Sequence, residues 1–481
     1  MTLDQSQTPL ADALQICAHR RNAPFHTPGH KRGQGISKRH STTFGHEVFR
    51  ADLPELPDLD NLFAPEGVIQ EAQMLAAEAF GAEQTYFLAN GSTCGIEAAI
   101  LAVCGPGEKI IVPRNAHSSV ISGLVLSGAE PVYVSPAYDL DWDMAAAVDP
   151  AAIATTLSQH PDAKAVLVVS PTYYGITSDI QAIAHLTHKR NIPLIVDEAH
   201  GPHFAFHPDL PTPALAAGAD IAIQSAHKVL SAFTQAALLH TQGNRFSSTQ
   251  IKRALQLTQS TSPSYLLLGS LDAARHQMAT NGKALMKQTL QLADRAAHTI
   301  NQIDGLRVLQ GCDRTRLTID VSGIGLTGFQ ADEILHEHFN VTVELPGLRH
   351  LMFIITLGNT NRDIDTLIDA CQRLKQHAQP HSKANIYSQI AQPQPADDNV
   401  LERISPRHAF FSAHTALPIE QAKGYLCAET ICPYPPGIPT LLPGEPITKE
   451  AIAYLQAIMT AGGIITGCAD PTLQTIQIVK P

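Results

Sequence analysis

The feature that most limits the fold is a series of short apolar runs that do not alternate with polar residues: KIIVP (109–113), PVYV (131–134), AVLVVS (165–170), PLIVDE (193–198) and DIAIQS (220–225). A strand with one wet face alternates with a period of two, so runs that are apolar throughout need cover on both faces. Stretches of helical periodicity lie between them. In EGVIQEAQMLAAEAFGA (66–82), Ile69, Met74, Leu75, Ala79 and Phe80 stay near a 3.6-residue period. QTYFLA (84–89) reads as a further strand, and STCGIEAAILAVC (92–104) as a helix with Ser92 and Thr93 as cap candidates. Strand–helix repetition of this kind predicts an α/β fold: a mostly parallel sheet with helices packed on both sides.

The rest of the chain divides around that core. The first fifty residues read as irregular, and Pro54 and Pro57 break the acidic stretch DLPELPDLD. A long helical region covers about 247–300. RLTIDV (316–321) and LMFIIT (351–356) then read as strands around a short helix, ADEILHEHF, giving a second, smaller α+β unit. Residues 375–399 are rich in Gln, Pro, His and Asp without periodicity and read as a linker. The expected divisions are an N-terminal arm (1–55), a large domain (56–300), a small α+β domain (301–375), a linker (376–399) and a C-terminal α+β domain (400–481). Thirty-three Lys and Arg against 44 Asp and Glu leave a net charge of −11, against the basic face that a general nucleic-acid binder needs. No apolar run approaches the roughly 18 residues of a membrane span, and MTLDQSQTPLADAL lacks the features of a signal peptide. The eight cysteines are scattered without a CxxC pair. Reduced thiols and a cytoplasmic location are therefore expected, with neither nucleic acid nor membrane as partner.

The strongest chemical signal is DIAIQSAHK (220–228), where a buried strand ends in Ser225, His227 and Lys228. Ligands of open α/β sheets bind at that carboxyl edge. An amine held there partly out of water can attack a carbonyl, although a lone lysine after a strand is more often a solvated loop residue. Its companions strengthen the case. LIVDEAHG (194–201) ends a neighbouring strand in Asp197, with His200 close behind. A carboxylate there can pair with a cationic ring nitrogen, as in pyridoxal phosphate enzymes. VDEAH also resembles the acidic box of a helicase, but that chemistry needs a GxxxxGK[ST] phosphate loop, and NGKALM (281–286) is the nearest failure. LANGSTCGIEAAI (88–100) offers the amides and hydroxyls of Ser92 and Thr93 as a phosphate cradle, or simply a helix cap. RNAHSSVISGL (114–124) puts His117 just after a strand, placed to stack on a ring or to cap a helix. His200, His203 and His207 are spaced like metal ligands, but Pro202 interrupts any helix, and no metal is expected. Cys427 and Cys432 suggest a redox pair, weighed against the plainer reading of two packed thiols.

With these motifs in order, the chain resembles the pyridoxal phosphate-dependent ornithine/lysine/arginine decarboxylases of the aspartate-aminotransferase-like fold. The match is to the short form, without the extra N-terminal response-regulator-like domain. The resemblance covers nearly the whole chain through FHTPGHKRG (25–33), DLPELPDLDNLFAPEGVIQEAQ (52–73), FLANGSTCGIEAAILA (87–102), SPTYYGI (170–176), VDEAHGPHF (196–204), QSAHKVL (224–230), STSPSYLLLGSLDAAR (260–275) and PYPPGIP (433–439). It implies pyridoxal 5'-phosphate as cofactor, joined covalently to Lys228. Asp197 would face the pyridine nitrogen, His117 would stack on the ring and His200 would lie near the ring hydroxyl. Ser92, Thr93, Ser225 and His227 would surround the phosphate. The resemblance also implies a homodimer or larger homo-oligomer with shared active sites, STSPSY (260–265) approaching the neighbouring subunit's cofactor, and Glu429 as the acid near the substrate side chain. A solvated strand-edge carboxylate is the plainer reading of Glu429.

The implied reaction is decarboxylation of a basic L-amino acid, arginine first and then lysine or ornithine, feeding polyamine metabolism. Either Lys228 or His227 returns the proton to Cα. The alternatives are another reaction of the same cofactor, for which Arg349 or Arg362 would serve as a carboxylate clamp, or a catalytically silent regulatory homologue.

Overall fold

The computed structural model describes residues 2–142, 144–377, 403–434 and 438–480. The linker read at 376–399 lies outside the described residues from 378 onward. The chain forms two compact units, Met1–Val103 with Pro193–Lys287, and Cys104–Ile192 with Gln288–Pro481.

In the first unit four strands lie in the order Gln84–Leu88, Ala237–Thr241, Ile221–Gln224, Leu194–Asp197. The last three are buried along their whole length, and each opens with three apolar residues. Leu194–Asp197 runs parallel to Ile221–Gln224, with Asp197 opposite Ile223. Ala237–Thr241 is antiparallel to both of its neighbours, so this part of the sheet is mixed where a mostly parallel one was expected. The cause is the connection before it. Between Gln224 and Ala237 the only helix is the single turn Ala226–Val229, too short for the crossover that a parallel return needs. The helix Gly91–Val103 packs directly on these strands, and a Cβ at Gly95 would come within 2.6 Å of Leu88 and 3.0 Å of Ile223. Glycine there lets the helix lie close to the sheet.

The chain before residue 52 is less irregular than its sequence suggests. Pro9–His19 is a helix with Pro9 in its first turn, and Leu10, Leu14, Cys17 and Ala18 are buried. The region expected to be one helix over 247–300 is two, Ser248–Thr258 and Tyr265–Ile300. The break carries Pro263, which disfavours helical geometry in the residue before it.

In the second unit Lys109–Pro113 lies between Glu130–Val134 and Ala165–Val169, parallel to both. A four-stranded antiparallel sheet, Arg307–Val308, Arg316–Asp320, His350–Ile354, Leu345–Pro346, carries the helices Gly328–Phe339 and Asn361–Leu374. Both helices open with a capping box, Thr327 with Gln330 and Thr360 with Asp363. A separate core around Leu441, Leu455, Ile465 and Ile476 holds the C-terminal segment. There His414–Pro418 pairs with Thr475–Val479, and Cys432–Tyr434 with Ile464–Thr466.

Candidate active site

Most of the expected site residues fall in the first unit, at the carboxyl ends of two adjacent parallel strands. Asp197 ends the strand Leu194–Asp197, is 5% exposed, and accepts the Ala199 amide on Oδ1 at 3.1 Å. One strand away, Ser225 caps the turn Ala226–Val229, and the Lys228 amide donates to the Ser225 carbonyl at 3.1 Å. That turn presents the Lys228 side chain at the strand ends, where Nζ lies 2.9 Å from His200 Nε2. The chain therefore brings together the amine and the imidazole that follow the two strands.

The helix start that carries Ser92 and Thr93 lies against the same strand end, with one change of register. The helix begins at Gly91, so Ser92 and Thr93 occupy its first turn rather than its cap. First-turn amides have no partner within the helix and suit an anion. The buried Ser225 hydroxyl donates to Ser92 Oγ at 2.8 Å, tying the strand end to the helix start, while Thr93 is exposed. Two residues that the sequence did not single out fix the turn before them. Gln235 Nε2 donates to the Ala89 carbonyl at 2.8 Å, and Gln259 Oε1 accepts the Ala89 amide at 2.9 Å. No motif flags either glutamine; only the folded chain carries them to Ala89.

His227 Nδ1 donates to the Ala236 carbonyl at 3.0 Å, and burial holds the imidazole below its ordinary pKa. The ring is then neutral near pH 7, with Nε2 as an acceptor. A phosphate dianion placed against Nε2 would pull the ring back toward the cation.

Behind the site runs a fully buried polar chain. Gln224 Nε2 donates to Glu198 Oε2 at 2.8 Å, Gln224 Oε1 lies 3.1 Å from His240 Nε2, and His240 Nδ1 lies 2.8 Å from Thr85 Oγ1. Because the Gln224 amide nitrogen faces Glu198, its oxygen accepts from His240 Nε2–H, and Nδ1 accepts from Thr85. Burial alone pushes His240 down to about 3, keeping this tautomer neutral. Burial pushes Glu198 up to about 8, against the opposing hydrogen bonds from Gln224 and Ala214. An unfolded Glu ionises near 4.3. Glu198 thus gives stability that is full below that value and lost as pH rises to about 8, on the order of 3–5 kcal/mol in all. In Glu198→Gln the carboxamide has no titration, and the chain of donors reverses through a flipped Gln224. Urea unfolding at pH 5 and pH 8 is expected to show a smaller loss for the variant than for the parent. Equal losses would refute a protonated Glu198.

Two expected site residues belong to the second unit. His117 caps the helix Ser118–Ser127, its Nδ1 accepting the Ser119 amide at 3.2 Å. Capping uses the ring edge and does not compete with stacking on the face. Both oxygens of the half-buried Glu429 accept backbone amides, Oε1 from Ala469 at 2.5 Å and Oε2 from Gln477 at 2.9 Å. The carboxylate therefore braces the C-terminal segment, and each oxygen keeps a further lone pair. Cys427 and Cys432 are buried free thiols; burial raises both, Cys432 to about 12. Thiols held in that form are inert to exchange near neutral pH. Arg349 donates to Asp320 at 3.1 Å and Ser322 at 3.3 Å, and so is already engaged by a carboxylate. Among the described residues no three His, Cys, Asp or Glu side chains gather as metal ligands do.

Comparison with known proteins finds relatives along nearly the whole chain. The Orn/Lys/Arg decarboxylase major domain matches residues 8–320, and the C-terminal domain of the same decarboxylases matches residues 397–469. An arginine decarboxylase of Bacillus subtilis is 38% identical over 488 residues, covering 99% of each chain. One of Halalkalibacterium halodurans is 40% identical over 490 residues, covering 99% of this chain and 98% of its own. A solved lysine decarboxylase of Francisella novicida superposes with a TM-score of 0.85 at 21% identity, over 98% of this chain and 81% of that one. At that identity the likeness speaks to the fold.

Proposed function

The chain belongs to the Orn/Lys/Arg decarboxylase family, and from that membership we propose that it converts L-arginine to its amine and CO2, with pyridoxal 5'-phosphate held on Lys228. The observation that carries the choice of arginine is the end-to-end match, at 38% and 40% identity, to two arginine decarboxylases. Lysine and ornithine are the next substrates in order.

The donor set fits the cofactor. Lys228 supplies an amine for its aldehyde, Asp197 a buried carboxylate for its ring nitrogen, and the Ser92–Ser225 pair with the first-turn amides a cradle for its phosphate. His117 would stack on the ring and His200 would lie near its hydroxyl. When bound, pyridoxal phosphate supplies an electron sink for the pair left at Cα as CO2 departs. This chain's residues do the rest. Asp197 keeps the ring nitrogen protonated, because a charge that far from water needs a paired opposite charge. Lys228 returns the proton to Cα, in preference to His227, whose Nδ1–H is committed to the Ala236 carbonyl and whose Nε2 would face the phosphate. His200, 2.9 Å from Nζ here, would hold that amine in place during turnover, while substrate occupies the aldehyde and Nζ is free. Glu429 is the candidate for the distal guanidinium, through the lone pairs its backbone donors leave.

We place the reaction in the cytoplasm, in a homodimer with shared active sites that supplies polyamine synthesis; this rests on the family resemblance. The test offers arginine, lysine and ornithine separately to the cofactor-loaded protein. The expected result is amine and CO2 in equal amounts, with the largest kcat/KM for arginine. Keto acid as product would overturn decarboxylation, and a larger kcat/KM for lysine or ornithine would overturn the choice of substrate.

A further inference from the structure

Within the first unit a cavity of about 360 Å³ opens between the helices Val68–Phe80 and Ser248–Thr258, over the strand Gln84–Leu88. No residue assigned above to the cofactor lines it. Its two helical walls differ in chemistry. Gln70 and Gln73 lie three apart on the first helix, with Glu66 in the segment just before it. Lys252 and Leu255 lie three apart on the second, with Gln259 at its C-cap.

The second wall is a donor wall. Gln259 is 7% exposed and spends its oxygen on the Ala89 amide, so the group it has left for a ligand is its NH2. Lys252, exposed on the same side, adds an ammonium. The first wall and the floor are acceptors. Glu66 and Glu83 are carboxylates, and Glu83 uses only Oε2 locally, for the Gly243 amide at 3.1 Å. Gln73 stands apart. It is only 9% exposed and lines the cavity, yet its carboxamide makes no hydrogen bond among the described residues. Neither of its polar atoms is sealed from solvent, so the amide faces the space that a ligand would fill.

We propose that this cavity is a second binding site for a free basic L-amino acid. The α-carboxylate would meet Lys252 and the Gln259 NH2, and the cationic groups would meet Glu66, Glu83 and the Gln73 oxygen. Two carboxylates and one ammonium give the charged lining a net −1, and a basic amino acid at neutral pH carries +1. The aliphatic part of the ligand would lie against Leu255 and its apolar neighbours. Through Gln259 the ligand would touch the group that holds Ala89, next to the turn leading into the Ser92 cradle. The inference stands on this lining and does not depend on the reaction assigned to Lys228.

Equilibrium dialysis of labelled L-arginine against the full-length, cofactor-loaded protein after borohydride reduction, which fixes the cofactor and stops turnover, tests it. In that background Glu66→Gln/Glu83→Gln and, separately, Lys252→Met are expected to remove one equivalent of bound arginine per chain or to raise its Kd at least tenfold. All three positions are exposed, so the fold is retained. Arginine methyl ester, which lacks the carboxylate, should bind the reduced protein at least tenfold more weakly than arginine, and its Lys252→Met form should no longer distinguish the two. Superimposable saturation curves for all the proteins would overturn the proposal, as would a side chain of a second copy seated in the cavity. Absence of CO2 release from the parent would count against the decarboxylase reading alone.

Discussion

Replacement of Lys228 by alanine is expected to lower decarboxylation at least about 10³-fold and to leave a protein that loses its cofactor on gel filtration. The size of the effect follows from how much one side chain does. Lys228 Nζ is the amine that the turn Ala226–Val229 presents beside His200, and no other lysine follows the paired strands Leu194–Asp197 and Ile221–Gln224 within four residues. Its loss removes both the covalent hold on the aldehyde and the proton donor for Cα. The fold should survive, because Lys228 is only half-buried and the turn is closed by backbone bonds from Lys228 and Leu230. An unchanged thermal midpoint with turnover lost separates chemistry from unfolding. More than a tenth of the parent's rate in the variant would contradict the assignment.

Asp272→Ala is expected to give the largest loss of stability, about 3–5 kcal/mol. Asp272 and Arg275 are 0% and 1% exposed and form an ion pair one turn apart on the helix Tyr265–Ile300. Asp272 Oδ2 accepts the amides of Leu10 and Ala11 at 3.0 and 3.2 Å, two of the donors that the helix Pro9–His19 leaves unpaired at its start. Arg275 donates to the carbonyls of Gln5 and Gln7 at 3.0 and 2.6 Å. Alanine at 272 would strand a buried guanidinium and two amides at once. Hydrogen exchange is the sensitive measurement, with protection of Leu10 and Ala11 expected to fall by about 10²–10³-fold while the strands Ile221–Gln224 and Ala237–Thr241 stay protected. Unchanged exchange at residues 9–19 would show that apolar packing alone holds this helix.

What was readable in the sequence divides along physical lines. Strands buried on both faces announce themselves by composition, so Lys109–Pro113, Ala165–Val169, Leu194–Asp197 and Ile221–Gln224 lie where their apolar runs are. The direction of Ala237–Thr241 is set by a short connection rather than by any residue of the strand, and composition does not carry that. The helix Pro9–His19 is anchored by Asp272 and Arg275, more than 250 positions away, so its local sequence understates its order. The same distinction holds at the site. Lys228, Asp197, His200 and Ser92 were legible because each follows a strand in a recognisable motif. Gln235 and Gln259 were not, since their partner Ala89 is 146 and 170 positions away. Glu429 stood out as a carboxylate, but the two amides bound to its oxygens come from the bend at Ala469 and the strand Thr475–Val479, at least 40 positions away.

The most direct test of the central claim is borohydride reduction of the cofactor-loaded protein followed by peptide mass mapping. The account predicts one reduced pyridoxyl phosphate adduct per chain, on Lys228. An adduct on another lysine, or none in a preparation that releases CO2 from arginine, would contradict it.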